Sequence, residues 1–210
     1  MPRVRTLDDL RRWWDRHAED YDRSMSWAER RLFEDTRPWI AGRARGRTLE
    51  VAVGTGLNLG HYPEDVVITG VELSPRMLDR ARRRAASLGV EADLRLGDAQ
   101  RLEFDDESFD TVACTFALCC VPDEARAVEE MARVLRPGGL LLLADHVESS
   151  SMWLRALQRM FEIGSVPFAG EHFRRRPLRH VEAAGLSIED RDRFKGGVIE
   201  RLAARKPAGG

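Results

Sequence analysis

The chain opens on a helical period. Leu7, Leu10, Trp14, Ala18 and Tyr21 recur every three or four residues and share one helix face, which Trp13 widens. A second helical stretch is predicted over 27–40, with Leu32, Phe33, Trp39 and Ile40. The period then changes. Short apolar runs at 48–53, 66–73, 92–96, 109–118 and 140–147 read as strands. Ser74 suits a helix N-cap, Pro75 the first helical position and Gly89 the C-terminal stop, which predicts a helix between the second and third strands. Another helix is predicted over 123–135, ending at Arg136-Pro137-Gly138-Gly139. Strands separated by helices predict βαβ units in a parallel sheet. Their continuous apolar character predicts that both sheet faces are covered.

The tail extends the same domain. A helix is predicted over 152–161, with Trp153, Leu154, Leu157, Met160 and Phe161 on one side, and a short one over 177–184 closed by Gly185. Strands at 186–194 and 198–204, joined by Lys195-Gly196-Gly197, predict an antiparallel hairpin. Only 207–210 reads as frayed. With 210 residues and no repeats, one domain is expected: 1–45 helical, 46–147 the core, and 148–206 the remaining helices and hairpin.

Composition narrows the function. Apolar residues are 43% and charged residues 33%, which excludes wholesale disorder. The formal charge of -1 disfavours a nucleic-acid partner. Cys114, Cys119 and Cys120 form no CxxC and no zinc-like spacing with histidine, so no metal is expected and the thiols read as buried and reduced. The purely apolar runs, 140–144 among them, are far short of the roughly 20 residues of a membrane span. Residues 1–12 lack the apolar stretch of a secretion signal. A cytoplasmic protein is expected. The first helix, with two tryptophans and several arginines, could touch a membrane surface peripherally or pack as a lid.

The chemistry concentrates at the strand ends. In an open parallel sheet, ligands bind beyond the carboxyl ends of the strands. The first strand runs through Glu50-Val51-Ala52-Val53 into Gly54-Thr55-Gly56, and glycines there let a ligand approach the backbone. The dinucleotide pattern G-x-G-x-x-G fails, because its third glycine falls on Leu59 or Leu57, and no phosphate-loop GK[ST] follows. Glu72 ends the second strand, where a carboxylate can accept both hydroxyls of a ribose. Asp98 ends the third, where an acid can accept from an exocyclic amine, and Met77 can pack on a purine or belong to the core.

This set, Glu50-x-Ala-x-Gly54-x-Gly56, Glu72, Asp98 and Leu135-Arg-Pro-Gly-Gly139, resembles the class I S-adenosylmethionine-dependent methyltransferases. The usual first motif is [D/E]xGxGxG, from which the chain departs at Ala52; a minor local shift is expected there. Gly54-Thr-Gly-Leu-Asn-Leu59, His61-Tyr-Pro63 and Phe116-Ala-Leu-Cys-Cys-Val-Pro-Asp123 look closest to the ubiquinone/menaquinone-biosynthesis-like and bacterial phospholipid N-methyltransferase group. The resemblance implies a Rossmann-like α/β fold, with a seven-stranded mostly parallel sheet, a C-terminal antiparallel hairpin and an N-terminal helical lid. It implies S-adenosylmethionine as cofactor. Gly54, Gly56 and Thr55, beside Ala52, would pass under its methionine part, and Glu50 would orient the ammonium. Glu72, with Leu73 beside it, would hold the ribose, and Met77, Asp98 and Ala99 would meet the adenine. Thr115 and Phe116 would line the methionine side, and Tyr21 would be a lid tyrosine reaching the carboxylate.

Methyl transfer from a sulfonium is an in-line displacement, so alignment and water exclusion carry much of it. A base is needed only where the acceptor must lose a proton; His146 and His172 are the candidates. Arg174-Arg175-Arg176 could meet an anionic headgroup, or simply be solvated. Thiol or metalloid chemistry at Cys119 and Cys120 has little support without a cationic neighbour. Trp13, Trp14, Trp153, Phe161 and Phe168 are expected to form an aromatic acceptor pocket. A small or lipophilic acceptor follows: a lipid amine, a quinone precursor or a specialised metabolite. A monomer or a homodimer would serve. Two alternatives are a non-catalytic protein binding S-adenosylmethionine or S-adenosylhomocysteine, and a nicotinamide-dependent Rossmann enzyme, which the failed fingerprint disfavours.

Overall fold

Each apolar run becomes a strand of a single seven-stranded sheet, in the order β3-β2-β1-β4-β5-β7-β6. The structure is a computed structural model describing residues 6–33 and 35–209. The amino-terminal segment 1–5, part of the stretch read above for a secretion signal, lies outside the described residues, as do Glu34 and the last residue of the frayed tail. The strands are β1 (Arg47–Val51), β2 (Val67–Glu72), β3 (Ala92–Leu96), β4 (Phe109–Thr115), β5 (Leu135–His146), β6 (Ser187–Phe194) and β7 (Ile199–Arg205). The first five are parallel; β7 enters antiparallel to β5 and pairs with β6 as the expected hairpin. The chain leaves β1 for β2 and β3 on one side and returns to β4 on the other. A crevice therefore opens beyond the carboxyl ends of the paired strands β1 and β4, whose connections leave in opposite directions, the position that collects ligands in such sheets.

Among the described residues seven helices flank the sheet: α1 (Leu7–His17), α2 (Tyr21–Ala28), α3 (Thr36–Ala41), α4 (Pro75–Leu88), α5 (Glu124–Val134), α6 (Met152–Ala169) and α7 (Pro177–Ala183). Local chemistry sets their ends. Thr6 and Asp9 form a capping box on α1. Ser74 accepts from the Met77 amide at the start of α4, and Gly89 stops it in the left-handed region. The core on one face joins Val112, Leu141 and Leu143 to Val128 and Met131 of α5 and Val181 of α7. On the other, Ile68, Val53 and Leu94 meet Leu78, Ala81 and Ala85 of α4.

Several boundaries differ from the sequence reading. The single helix expected over 27–40 is broken into α2, a π turn at Glu29–Phe33, and α3. β1 stops at Val51, because Ala52 turns into the left-handed region at φ 57°; β4 stops at Thr115, because Phe116 does so at φ 54°. β5 already begins at Leu135, and the 136–139 stretch is an excursion between its pairings with Phe109 and Thr111. α6 runs on to Ala169, with Pro167 inside its last turn.

Candidate functional site

The ends of β1, β2 and β4, the loop after β3 and helices α1 and α2 wall a cavity of about 870 Å³. Twelve of the thirteen residues expected to hold a cofactor line it: Tyr21, Glu50, Ala52, Gly54, Thr55, Glu72, Leu73, Met77, Asp98, Ala99, Thr115 and Phe116. Gly56 does not. A Cβ there would stand 2.7 Å from Leu59 Cδ1 and 3.2 Å from Ala81 Cα, so this glycine serves the close packing of the loop on α4.

Ala52, Gly54 and Gly56 all have positive φ, at 57°, 59° and 81°. The loop therefore keeps one left-handed path, and alanine carries the strain at the position where the family motif has glycine. Beneath it, Glu72 accepts from the Gly54 amide at 3.0 Å through one oxygen and from the Ser74 amide at 2.8 Å through the other. Burial pushes the Glu72 carboxyl up, against the opposing effect of these amides. These amides, with that of Leu73, fix the carboxylate at the mouth of β2 and leave it acceptor capacity for a ligand hydroxyl. Asp98 is held by its own turn: the Gln100 amide donates to Oδ1 at 2.9 Å.

Glu50 is fully enclosed. Asn58 Nδ2 donates to it at 2.9 Å and Tyr62 Oη at 3.0 Å, and no cation pairs with it directly among the described residues. Burial pushes its carboxyl up to about 7, despite those two bonds and the more distant Arg37. A ligand cation in the cavity would meet an anion that lacks a counter-charge. Arg37, also in the wall, is oriented by Glu29 at 2.5 Å and by Asn58 Oδ1 at 2.9 Å. Asn58 also donates to Thr115 Oγ1 at 3.0 Å, which joins β1, β4 and α3 in one polar network. Burial pushes the Tyr21 hydroxyl above its ordinary range, so it stays a neutral donor; it has no hydrogen-bond partner among the described residues.

Two aspartates dock the N-terminal helices onto this site. Asp15 of α1 accepts from Ser74 Oγ at 2.6 Å and from the Arg76 amide at 3.1 Å. Asp22 of α2 accepts from Thr55 Oγ1 at 2.6 Å and from Arg84 at 2.8 Å. Burial opposes the Asp22 charge, but Thr55, Arg84 and Arg80 outweigh it and hold the carboxyl below its usual range. Leu7, Leu10 and Trp14 thereby close the cavity from above. The first helix packs as a lid.

The two candidate bases stand outside the cavity wall. His146 lies behind Phe116, with ring centroids 5.3 Å apart, and is boxed further by Phe33 and Phe173. Its Nδ1 is 3.7 Å from Asp145 Oδ1, an ion-pair distance without a hydrogen bond. Burial disfavours the imidazolium, but Asp145 and the Cys119 sulfur outweigh it and raise His146 above its usual range. His172 donates its backbone amide to the Cys119 carbonyl at 2.8 Å, and burial, with Arg175, lowers its ring. Cys119, Asp145 and His146 bring three potential ligand atoms within 4.8 Å of one another. Asp145, however, already accepts the amides of Cys119 and His146, and the Cys120 sulfur, together with burial, pushes the Cys119 thiol up. The expected aromatic acceptor pocket is not formed: Trp14 lines the cavity, whereas Trp153, Phe161 and Phe168 of α6 are exposed.

An open, mostly parallel sheet with acids at the ends of β1, β2 and β3 has the layout of α/β domains that take ligands beyond the carboxyl ends of their strands. A methyltransferase-domain family model matches residues 49–143. The chain is similar to phosphatidylethanolamine N-methyltransferase of Cereibacter sphaeroides, with 44% identity over 116 residues, 54% of this chain and 57% of that one. It is similar to demethylmenaquinone methyltransferase of Deinococcus radiodurans, with 37% identity over 118 residues, 55% of this chain and 49% of that one. It thus spans about half the length of these relatives. Its fold matches an S-adenosylmethionine-dependent methyltransferase of Thermotoga maritima at a TM-score of 0.71 and 24% identity, over 94% of this chain and 99% of that one. Residues 49–143 thus resemble a methyltransferase domain, and the fold around them is that of the Thermotoga protein.

The cavity fits S-adenosylmethionine, the methyl donor named for the Thermotoga protein, on its own geometry. Among the described residues Glu72 keeps acceptor capacity, Glu50 has no directly paired cation, and the Tyr21 hydroxyl has no hydrogen-bond partner. Sequence reasoning missed Arg37, Asp15 and Asp22 as site-forming residues. It quoted Asn58 and Tyr62 only within a family phrase.

Proposed function

We propose that the protein transfers a methyl group from S-adenosylmethionine to a lipophilic acceptor, with a lipid amine favoured and a quinone precursor second. The observation that carries this is the cavity itself: fixed acids at three strand ends, under an apolar lid of Leu7, Leu10 and Trp14. The named relatives act on a phospholipid amine and a quinone precursor. We assign Glu72 to the ribose hydroxyls, Asp98 and the Ala99 amide to the adenine, Met77 and Leu73 to its faces, and Glu50 to the ammonium. Tyr21 and Arg37 take the carboxylate, and the Ala52, Gly54, Thr55, Thr115 and Phe116 walls take the methionine chain. S-Adenosylmethionine supplies an activated methyl; the chain's own work is to align the acceptor and exclude water.

An ammonium acceptor must lose a proton before it attacks. Neither candidate base lines the cavity; of the two, burial favours the neutral ring of His172, whereas Asp145 and the Cys119 sulfur favour the imidazolium of His146. The chain works in the cytoplasm on this proposal, and among the described residues no helix is long and apolar enough to cross a membrane. Incubation with methyl-labelled S-adenosylmethionine and vesicles of phosphatidylethanolamine, or with demethylmenaquinone, tests the proposal. Label in the phospholipid is expected. Label in neither acceptor, with cofactor bound, overturns the lipophilic assignment.

A further inference from the structure

A second cleft, of about 640 Å³, lies away from the cofactor cavity, between the end of β5, the start of α6, α7 and the β6–β7 hairpin. Five guanidinium groups line it, those of Arg155, Arg176, Arg179, Arg191 and Arg193, against the carboxylates of Glu148 and Glu200. Arg191 and Arg193 share buried Glu200, at 2.6 and 3.3 Å, and Arg176 pairs with Glu148. The guanidinium groups of Arg155 and Arg179 make no ion pair or hydrogen bond among the described residues, and Arg155 Nε is buried without an acceptor. Arg155 sits in the first turn of α6, whose N-terminus has no side-chain cap and adds positive potential. Such a surplus of cations lacks an anion.

The same helix presents an apolar surface to solvent. Trp153 is 84% exposed, and Met152, Met160, Phe161 and Ile163 are each more than 60% exposed. A tryptophan and methionines beside guanidinium groups suit the boundary between phosphate headgroups and acyl chains. A soluble anion would need only the cleft.

We propose that the arginine cleft binds the phosphodiester headgroup of an anionic phospholipid, while α6 lies in the membrane interface. This assigns surface binding to α6 rather than to α1, which the two aspartates hold on the core. It does not depend on which acceptor is methylated.

Co-sedimentation of the full chain with vesicles tests it, comparing phosphatidylcholine alone with phosphatidylcholine containing about one-third phosphatidylglycerol, at physiological salt. Binding to the anionic vesicles is expected, about tenfold weaker in Arg155→Ala/Arg179→Ala and in Trp153→Ser. Arg82→Ala/Arg83→Ala, which removes equal charge from the exposed face of α4, is expected to bind as the parent does. S-Adenosylmethionine affinity and melting temperature, measured on each variant, verify folding independently of vesicles or acceptor. The proposal is overturned by no vesicle binding, by cleft variants that bind undiminished, or by equal loss in the α4 variant. Saturable binding of glycerol 3-phosphate without vesicle association would mark a site for a soluble anion and overturn it as well.

Discussion

Replacing Glu50 with Gln separates what the folded chain tolerates from what the ligand needs. Glu50 is buried with two hydrogen-bond donors and no direct cation, and its carboxyl rises from an ordinary 4.5 to about 7. Each pKa unit is worth about 1.4 kcal/mol, so keeping this carboxylate ionised costs the folded state about 3 kcal/mol. The sign follows from proton uptake. Between about pH 4.5 and 7 the folded state holds a proton that the unfolded chain has lost, so this group lowers stability as pH rises. Glutamine can accept from Asn58 Nδ2 through its oxygen and donate to Tyr62 Oη, whose hydroxyl can turn to accept. Allowing for the loss of charge-assisted bonds, Glu50→Gln is expected to gain about 2 kcal/mol at pH 8 and less than about 1 kcal/mol at pH 5. Urea unfolding at the two pH values reads this difference. Calorimetry on the same variant is expected to show S-adenosylmethionine bound at least about tenfold more weakly, since the ammonium loses its anion. An equal gain at both pH values, or a loss at pH 8, would refute an ionised, desolvated Glu50.

Asp22→Asn keeps the shape but removes the charge that Arg80 and Arg84 meet; faster hydrogen exchange in α2 and a several-fold weaker cofactor affinity are expected, and unchanged exchange would show that the lid is held by packing alone. Ala52→Gly relieves a left-handed alanine at φ 57°, and a gain of about 0.5–1 kcal/mol in chemical unfolding is expected, the strain relieved exceeding the entropy glycine loses. A loss of stability would mean the alanine is unstrained. Burial pushes Cys114 up, contact with the Cys120 sulfur and then burial push Cys119 up, and Cys120 rises by burial against the lowering effect of Cys119, so all three thiols are expected to resist a disulfide reagent near neutral pH until the chain unfolds. Prompt native-state labelling would contradict that.

The strand-end chemistry was legible because it is local. Acids and glycines that close apolar runs mark the ligand edge of a parallel sheet, and Glu50, Glu72 and Asp98 could be placed without coordinates. The hairpin was legible from Lys195-Gly196-Gly197 for the same reason. What escaped was long-range. Asp22 meets Arg84 62 positions away and Asp15 meets Ser74 59 positions away, and no spacing rule joins them. Arg37 lies in a stretch read as continuous helix, whereas the π turn before α3 turns it toward Asn58. Helical periodicity put Trp153, Met160 and Phe161 on one side of α6, yet it cannot tell what covers that side. The structure leaves it open to solvent. Ala52 shows the converse: a departure from the literal motif preserves the backbone path, because the surrounding loop enforces a conformation that alanine only disfavours.

The central claim, that the cavity at the ends of β1, β2 and β4 holds S-adenosylmethionine, is tested most directly by calorimetric titration of the full chain with S-adenosylmethionine, S-adenosylhomocysteine and NADH, repeated with Glu72→Ala. Micromolar binding of both adenosyl ligands, none of NADH, and at least about tenfold weaker binding in the variant are expected, since two hydroxyl contacts to a carboxylate are lost. No binding of either adenosyl ligand, or undiminished affinity in Glu72→Ala, would contradict it.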